Sequence, residues 1–217
     1  MIHEIRNNYT FIMNLNQSNK KAYLEIITGP MFSGKTSKLL EIYKQCNFCN
    51  IHVAVINHSA DKRYDESMLS THDKTMIPCI QTDKISSVWF YKKLDEIIDI
   101  EIGNDHMKLR NADVILINEA QFFEDLYLCV RNMLSQSKKV FIAGLDGDFE
   151  RKKFGQILDL FPLCDKITKL ASLCSLCKNG EPGIFSMRLN KDKAQMLIGS
   201  DNYIPVCRSC YDTNYSS

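Results

Sequence analysis

No stretch of this chain approaches the roughly 18 consecutive apolar residues that a membrane-crossing helix needs, so no membrane span is expected. The opening MIHEIRNNYTFIMNLNQSNKK is too polar for a secretory signal and has no small-residue cleavage site. With no export signal, the cytosol or nucleus is the default compartment, and a cytoplasmic protein is expected. Surplus charge is missing too: 27 Lys plus Arg stand against 26 Asp plus Glu, a formal net charge of +1. Gripping a nucleic-acid backbone or an anionic membrane relies on clustered positive charge, and neither partner is expected here. There is also no internal repeat and no low-complexity tract.

Cysteine, by contrast, is plentiful, with nine in 217 residues. In a reducing compartment such a count reads as metal ligands and a few buried thiols, not as a disulfide framework. The remaining composition, 45% hydrophobic and 24% charged, is that of an ordinary globular protein. The length fits one medium α/β domain with a small appendage.

Residues 1–21 read as a flexible leader. YLEIIT (23–28), IHVAVIN (51–57), ADVILIN (112–118) and KKVFIAGL (138–145) are apolar, β-branched runs of the kind that form buried strands. SKLLEIYKQC, FYKKLDEIID (90–99) and FFEDLYLCVRNMLSQS (122–137) read as helices, IPCIQ (77–81) as a short strand, and 58–76 as a long functional loop. Strands alternating with helices imply a parallel sheet with flanking helices across residues 22–168. From 169 to 217 the pattern changes to short strand-like pieces around two Cys pairs, the makings of a small zinc-ribbon domain.

Three features carry chemistry. Gly29-Pro30-Met31-Phe32-Ser33-Gly34-Lys35-Thr36 satisfies GxxxxGK[ST] in full, between an apolar run and a helical pattern. In such a loop backbone N–H groups surround the phosphates of a nucleotide, the lysine reaches the β- and γ-phosphates, and the Thr36 hydroxyl ligates Mg²⁺. The third strand ends in Asn118-Glu119, where an acid commonly completes the metal site. An amide oxygen at Asn118 can hold a metal-bound water without supplying charge. Glu119 fits either a general base for an attacking hydroxyl or an acid favoured by a helix N-terminus. Finally, Cys174-Ser-Leu-Cys177 and Cys207-Arg-Ser-Cys210 have the two-residue gap that lets both thiolates of a knuckle reach one tetrahedral Zn²⁺. Four cysteines leave no open position, so this zinc is expected to be structural. Cys46 and Cys49 share that spacing but sit in a helical pattern and read as core or surface thiols.

Together these residues resemble the cellular-type (type II) thymidine kinase family over about residues 24–211. GPMFSGKT is that family's wording of the loop. Asp61-Lys-Arg63-Tyr64 resembles its D-x-R-Y element, Thr71-His72-Asp73 its THD, and Glu119-Ala-Gln121-Phe122-Phe123 its D-E-[AG]-Q-F-F with the first acid changed. Leu145-Asp-Gly-Asp-Phe149 and Phe154-Gly155 are similar to the stretch lining its nucleoside pocket. Ile198-Gly199 and Tyr203 resemble its substrate-closing lasso.

The resemblance implies ATP-dependent phosphorylation of the 5′-hydroxyl of thymidine, with deoxyuridine a further candidate, in nucleotide salvage for DNA synthesis. It makes Glu119 the general base and Lys35 the group that neutralises charge on the phosphates. Asp61, Arg63, Asn118 and Gln121 then fall on the phosphate-donor side. Phe149, Phe154 and Tyr203 fall at the nucleoside, whose base would be held by main-chain groups of Gln195, Met196, Leu197, Ile198 and Gly199. Read without the family, Phe149 is a loop aromatic and Tyr203 an ordinary half-buried tyrosine. His72 is a possible base by type, but a structural hydrogen-bonding role fits its loop better. The resemblance further implies a homotetramer inhibited by thymidine triphosphate. The chain departs from the pattern at Asn118, Asp148, Lys153 and Met187, and its lasso is one residue shorter. Asn118 is the sole support for a different reading, a nucleotide-binding pseudokinase. A nucleic-acid motor with a zinc ribbon would need a basic channel that the charge balance does not offer.

Overall fold

A computed structural model describes residues 21–61, 68–70, 75–90, 100–190, 194–195 and 200–215. The strands are β1 (Tyr23–Thr28), β2 (Val53–His58), β3 (Met68–Ser70), β4 (Met76–Pro78), β5 (Ile80–Thr82), β6 (Val114–Asn118), β7 (Lys139–Gly144), β8 (Lys166–Lys169), β9 (Ser172–Leu173), β10 (Pro182–Gly183), β11 (Phe185–Arg188) and β12 (Tyr203–Val206). The helices are α1 (Lys35–Phe48), α2 (Ile85–Trp89), α3 (Ile100–Asn111), α4 (Leu126–Ser135) and α5 (Arg208–Tyr215).

A six-stranded sheet in the order β5-β2-β6-β7-β1-β8 forms the centre, and every pairing in it is parallel. The pleat divides its side chains. Leu24, Ile26, Ile115, Ile117, Val140 and Ile142 pack on one face with Leu126, Val130 and Met133 of α4. Ile27, Val114, Leu116, Phe141 and Ala143 pack on the other with Leu39, Leu40 and Cys46 of α1. Burial on both faces is why these strands are uninterrupted apolar runs and not alternating ones. Cys46 belongs to this core, and burial raises its thiol pKa to about 12.

The sequence reading needs correction in four places. The segment 77–81 is not one strand: β4 pairs antiparallel with β3, and β5 joins the main sheet beside β2. The segment 58–76, read as loop, contains β3. The helix expected over 122–137 begins only at Leu126. A 3-10 turn over Ala120–Phe122 precedes it, since the chain first buries Ala120, Gln121 and Phe123 against the sheet. Asp125 stands before α4, yet its carboxylate accepts from the N–H groups of Ile85 (3.3 Å) and Ser86 (2.7 Å), capping α2 instead. Finally, α3 was not foreseen. The helix expected over 90–99 but for Phe90, the leader over 1–21 but for Lys21, and the residues Arg63, Tyr64, Thr71, His72, Asp73, Met196, Leu197, Ile198 and Gly199 lie outside the described residues.

The tail adds two small antiparallel pairs, β9 with β10 and β11 with β12. Their core is small: Cys174, Met187, Val206, Cys207 and Tyr211 are its buried residues. The tail reaches the main domain at the loop after β1, where Met31 N–H donates to Ser186 Oγ at 3.0 Å.

Candidate active site

The strand tips of a parallel sheet leave backbone and side-chain polar groups at one edge, which is where such folds hold ligands. β1 ends at Thr28 and the loop 29–34 turns directly into α1. Gly29 has φ +144°, and a Cβ there would stand 2.4 Å from Leu170 O, so no other residue fits. Gly34 caps α1 in the left-handed region at φ +86°. Lys35 curls back over the loop, donating from Nζ to the carbonyls of Gly29 (3.0 Å) and Pro30 (2.7 Å). That puts its ammonium at the loop mouth. Phe32 is left-handed at φ +63° and 42% exposed, whereas Met31 N–H is turned away to Ser186.

Beside the loop, β6 delivers Asn118 and Glu119. Thr36 Oγ1 donates to Asn118 Oδ1 at 3.4 Å, and Asn118 Nδ2 donates to Asn57 Oδ1 at 2.9 Å. Asn57 Nδ2 donates in turn to Asp61 Oδ2 at 3.4 Å. Asn57 and Asn118 are both buried. Two oxygens thus face one another at the loop mouth, and oxygen donors suit Mg²⁺.

Glu119 follows in the left-handed region, φ 51° and ψ 39°, a strained setting for a residue with a side chain. Gln121 orients it. Its Nε2 donates to Glu119 Oε2 at 2.7 Å while its Oε1 accepts from Leu145 N–H at 3.0 Å. Gln121 was expected on the nucleotide, yet both ends of its amide engage protein groups. Gly155 lets the chain pass: at φ +61°, a Cβ there would lie 2.2 Å from Gln121 O.

His58, which no motif pointed to, lines the same edge. Its Nδ1 accepts from Ala60 N–H at 3.0 Å, and its ring meets Phe123 edge-on at 4.8 Å. Burial lowers its pKa below the ordinary 6.5, although Asp83, Glu119, Asp125 and Asp61 pull the other way.

Across the edge, the residues expected at the nucleoside converge on Arg188. Its guanidinium lies 3.6 Å from the centre of the Phe149 ring and also donates to Tyr203 Oη. It donates as well to the carbonyls of Ala194 (2.5 Å) and Gln195 (3.2 Å). Phe149, Phe154, Tyr203 and Arg188 are all buried. Phe154 meets Phe122 edge-on at 5.6 Å. The departures Asp148 and Lys153 have work of their own. Asp148 Oδ1 accepts from the N–H groups of Glu150 and Lys152, both at 2.9 Å, and its Oδ2 accepts from Gln195 Nε2 at 2.7 Å. Lys153 pairs with Asp159 at 2.6 Å. A lone arginine on a short strand carries no periodicity or spacing, so only the fold reveals Arg188 as the hub.

The sulfurs of Cys174, Cys177, Cys207 and Cys210 all lie within 4.8 Å of one another. Sulfurs tetrahedral about zinc at about 2.3 Å stand about 3.8 Å apart, so four converging thiols fit that ion. Burial raises the Cys174 thiol pKa, but N–H groups of Cys207, Cys177 and Leu176 and the Cys177 thiol outweigh it and bring it to about 6. Hydrogen bonding with Cys207, then burial, pushes Cys210 to about 12. Hydrogen bonds thus favour the thiolate at Cys174 and disfavour it at Cys210. The cluster opens α5, from which Tyr211 Oη donates to Phe149 O at 2.5 Å.

A parallel sheet with a glycine-turned phosphate loop, two facing oxygens and an oriented carboxylate defines a nucleotide-binding α/β protein of the phosphoryl-transfer kind. The family described as thymidine kinase matches residues 22–211, and the chain belongs to it. It is 40% identical over 192 residues to thymidine kinase of Oryza sativa subsp. japonica, covering 87% of this chain and 65% of that protein. It is 38% identical over 195 residues to thymidine kinase of Choristoneura fumiferana entomopoxvirus, covering 88% and 97%. Thymidine kinase 1 of Dictyostelium discoideum is 36% identical over 199 residues, covering 88% and 78%. The chain thus spans just under two thirds of the rice protein and nearly all of the viral one. Among solved structures, domain III of the Thermotoga maritima replication initiation protein DnaA superposes with a TM-score of 0.40 at 13% identity, over 76% of this chain and 61% of that one. So loose a fit bears on nothing further.

Proposed function

We propose that this chain transfers the γ-phosphoryl group of ATP to the 5′-hydroxyl of thymidine, giving thymidine monophosphate and ADP. The observation that carries this reading is Glu119, oriented by Gln121 and next in the chain to Asn118, whose Oδ1 accepts from Thr36 of the loop. Glu119 takes the proton of the 5′-hydroxyl as that oxygen bonds to the γ-phosphorus, and the bond from phosphorus to the bridging oxygen breaks. Lys35 and the N–H groups of Gly34 and Thr36 hold the phosphates, and Arg63 is a further donor to them. Thr36 and Asn118 would hold Mg²⁺, which when bound neutralises charge on the phosphate oxygens. Phe149, Phe154 and Tyr203 enclose the base, which main-chain groups of residues 195–199 would hold.

Cys174, Cys177, Cys207 and Cys210 would hold a structural zinc, which would tie together the chain on either side of β11 and β12. The division into a nucleotide-binding unit over 22–168 and a zinc and lasso unit over 169–217 belongs to the same reading. So do acceptance of deoxyuridine, a homotetramer, inhibition by thymidine triphosphate and a cytoplasmic site of action. The pseudokinase reading rests on Asn118 alone, and the oxygen that Asn118 turns to Thr36 speaks for a working metal site.

The test is ADP release by the zinc-loaded protein with Mg-ATP, with and without each deoxynucleoside. Turnover that requires thymidine and vanishes in Lys35→Ala is the expected result. ATP binding with no stimulation by any deoxynucleoside would sink the kinase reading.

A further inference from the structure

The polar chain behind the loop has a direction. Thr36 donates to Asn118 Oδ1 (3.4 Å), Asn118 donates to Asn57 Oδ1 (2.9 Å), and Asn57 donates to Asp61 (3.4 Å). An amide offers a donor at one end and an acceptor at the other, and the backbone does not dictate which end faces which way. An ionised carboxylate only accepts. With Asp61 at the far end, Asn57 must turn its NH₂ toward it. The Asn57 oxygen then faces Asn118, whose NH₂ must face Asn57, leaving the Asn118 oxygen for Thr36. The threonine hydroxyl donates its one proton to that oxygen and keeps its lone pairs for a cation. Reversed, an Asn118 NH₂ would claim a lone pair of Thr36 and point a donor where a cation belongs.

The turn after β2 seats Asp61 for this purpose. Asp61 N–H donates to His58 O at 2.9 Å and Ala60 N–H to the His58 ring, which folds the segment back onto Asn57. Asn57 and Asn118 occupy paired positions on neighbouring parallel strands, and they are 1% and 2% exposed. No bulk water is there to randomise the amides. Hydrogen bonds aligned head to tail also polarise one another.

We propose that Asp61, acting through Asn57, sets the polarity of Asn118, and that Asn57 and Asp61 are positioning residues for a nucleotide-metal site that lacks a carboxylate at the strand tip. This rests on reading the loop as a nucleotide site, and not on which nucleoside is phosphorylated. One consequence runs against intuition. Asn118→Asp does not by itself improve the site. A carboxylate at 118 would face the Asn57 oxygen, acceptor against acceptor, and turning Asn57 over would set that oxygen against Asp61. Only when residue 61 can donate does the reversed chain become consistent.

The experiment is calorimetric binding of ADP to the full chain, with and without Mg²⁺, for wild type, Asp61→Asn, Asn118→Asp and the double variant. Thymidine turnover is measured separately. Wild type should gain ADP affinity from Mg²⁺, and Asp61→Asn should cut that gain by about tenfold, as loss of an outer-shell partner does. Asn118→Asp alone should not exceed wild type, and the double variant should exceed both single variants, a strongly non-additive cycle. Additive effects, an unchanged gain in Asp61→Asn, or ADP binding by wild type with no dependence on Mg²⁺ would each overturn the proposal. Asn57→Leu tests the middle link and should match Asp61→Asn. Should its buried site fail to fold, the exposed end of the chain still decides, because Asp61 is only half-buried. Mg²⁺-dependent ADP binding with this pattern but no thymidine turnover would leave the relay standing and remove the kinase reading alone.

Discussion

The phosphate edge and the cysteine-rich tail both hold polar groups in fixed positions, but by different means. At the phosphate edge the holders are the ends of parallel strands whose neighbouring residues are wholly buried: Ile26, Ile27, Ile117 and Ile142 are all 0% exposed. There the apolar core supplies the rigidity, and amides and one carboxylate need only be turned the right way. Among the described residues, the tail's apolar cluster has five buried members and its strands are two to four residues long. So small a core cannot hold itself, and covalent or ionic staples replace it. Four sulfurs converge at its base, and the Arg188 fork joins its other end. Where burial is plentiful, a polar site can be built from weak, directional contacts. Where it is scarce, the site depends on a few strong ones.

Removing zinc should separate the two regions most. Exhaustive chelation should abolish thymidine-dependent turnover and the amide-exchange protection of residues 172–211, while the sheet keeps its protection and ADP still binds, since small metal-tied folds lose structure with their metal. Loss of protection throughout would show that the two regions are one cooperative unit.

The next effect falls on the phosphate edge. Glu119→Gln should lower kcat by at least about a hundredfold, the low end for a general base, with ADP affinity unchanged. A drop of only a few-fold would mean that Glu119 serves its left-handed turn and not proton transfer.

Arg188→Lys keeps the charge and loses the fork. The KM for thymidine should rise about tenfold, the worth of one charge-assisted hydrogen bond, with the KM for ATP unmoved. Equal changes in both constants would make Arg188 a general stabiliser of the fold.

The smallest effect is one of pH. Burial holds the folded pKa of His58 below its ordinary 6.5, so the unfolded chain binds the extra proton first. The contribution of the neutral ring is present above pH 6.5, and it is lost as pH falls from 6.5 toward the folded pKa. The melting temperature should therefore drop across that window, and His58→Phe should flatten the drop. Identical pH profiles would remove His58 from the account.

Much of this was legible before any folding was considered. The four long buried strands announce themselves as β-branched runs because both faces of a parallel sheet are covered. The loop over Gly29–Thr36 is contiguous, so its chemistry is written in eight neighbouring letters. The knuckles of Cys174 and Cys207 are equally local. The starts of β3 and α4 were not legible. β3 is three residues long, too short to show a period, and α4 begins late because Phe123 is drawn into the core first.

By itself the sequence determined the class of fold, the phosphate loop, the four paired cysteines and the family, since each is a local pattern whose spacing carries its own geometry. Only the tertiary structure decided that Gln121 serves Glu119, that Arg188 gathers Phe149, Tyr203 and the carbonyls of Ala194 and Gln195, and that Asn57 stands between Asn118 and Asp61. Hydrogen-bond direction depends on which partner lies across the sheet, and a residue's letter does not say what its neighbour 61 positions away will accept.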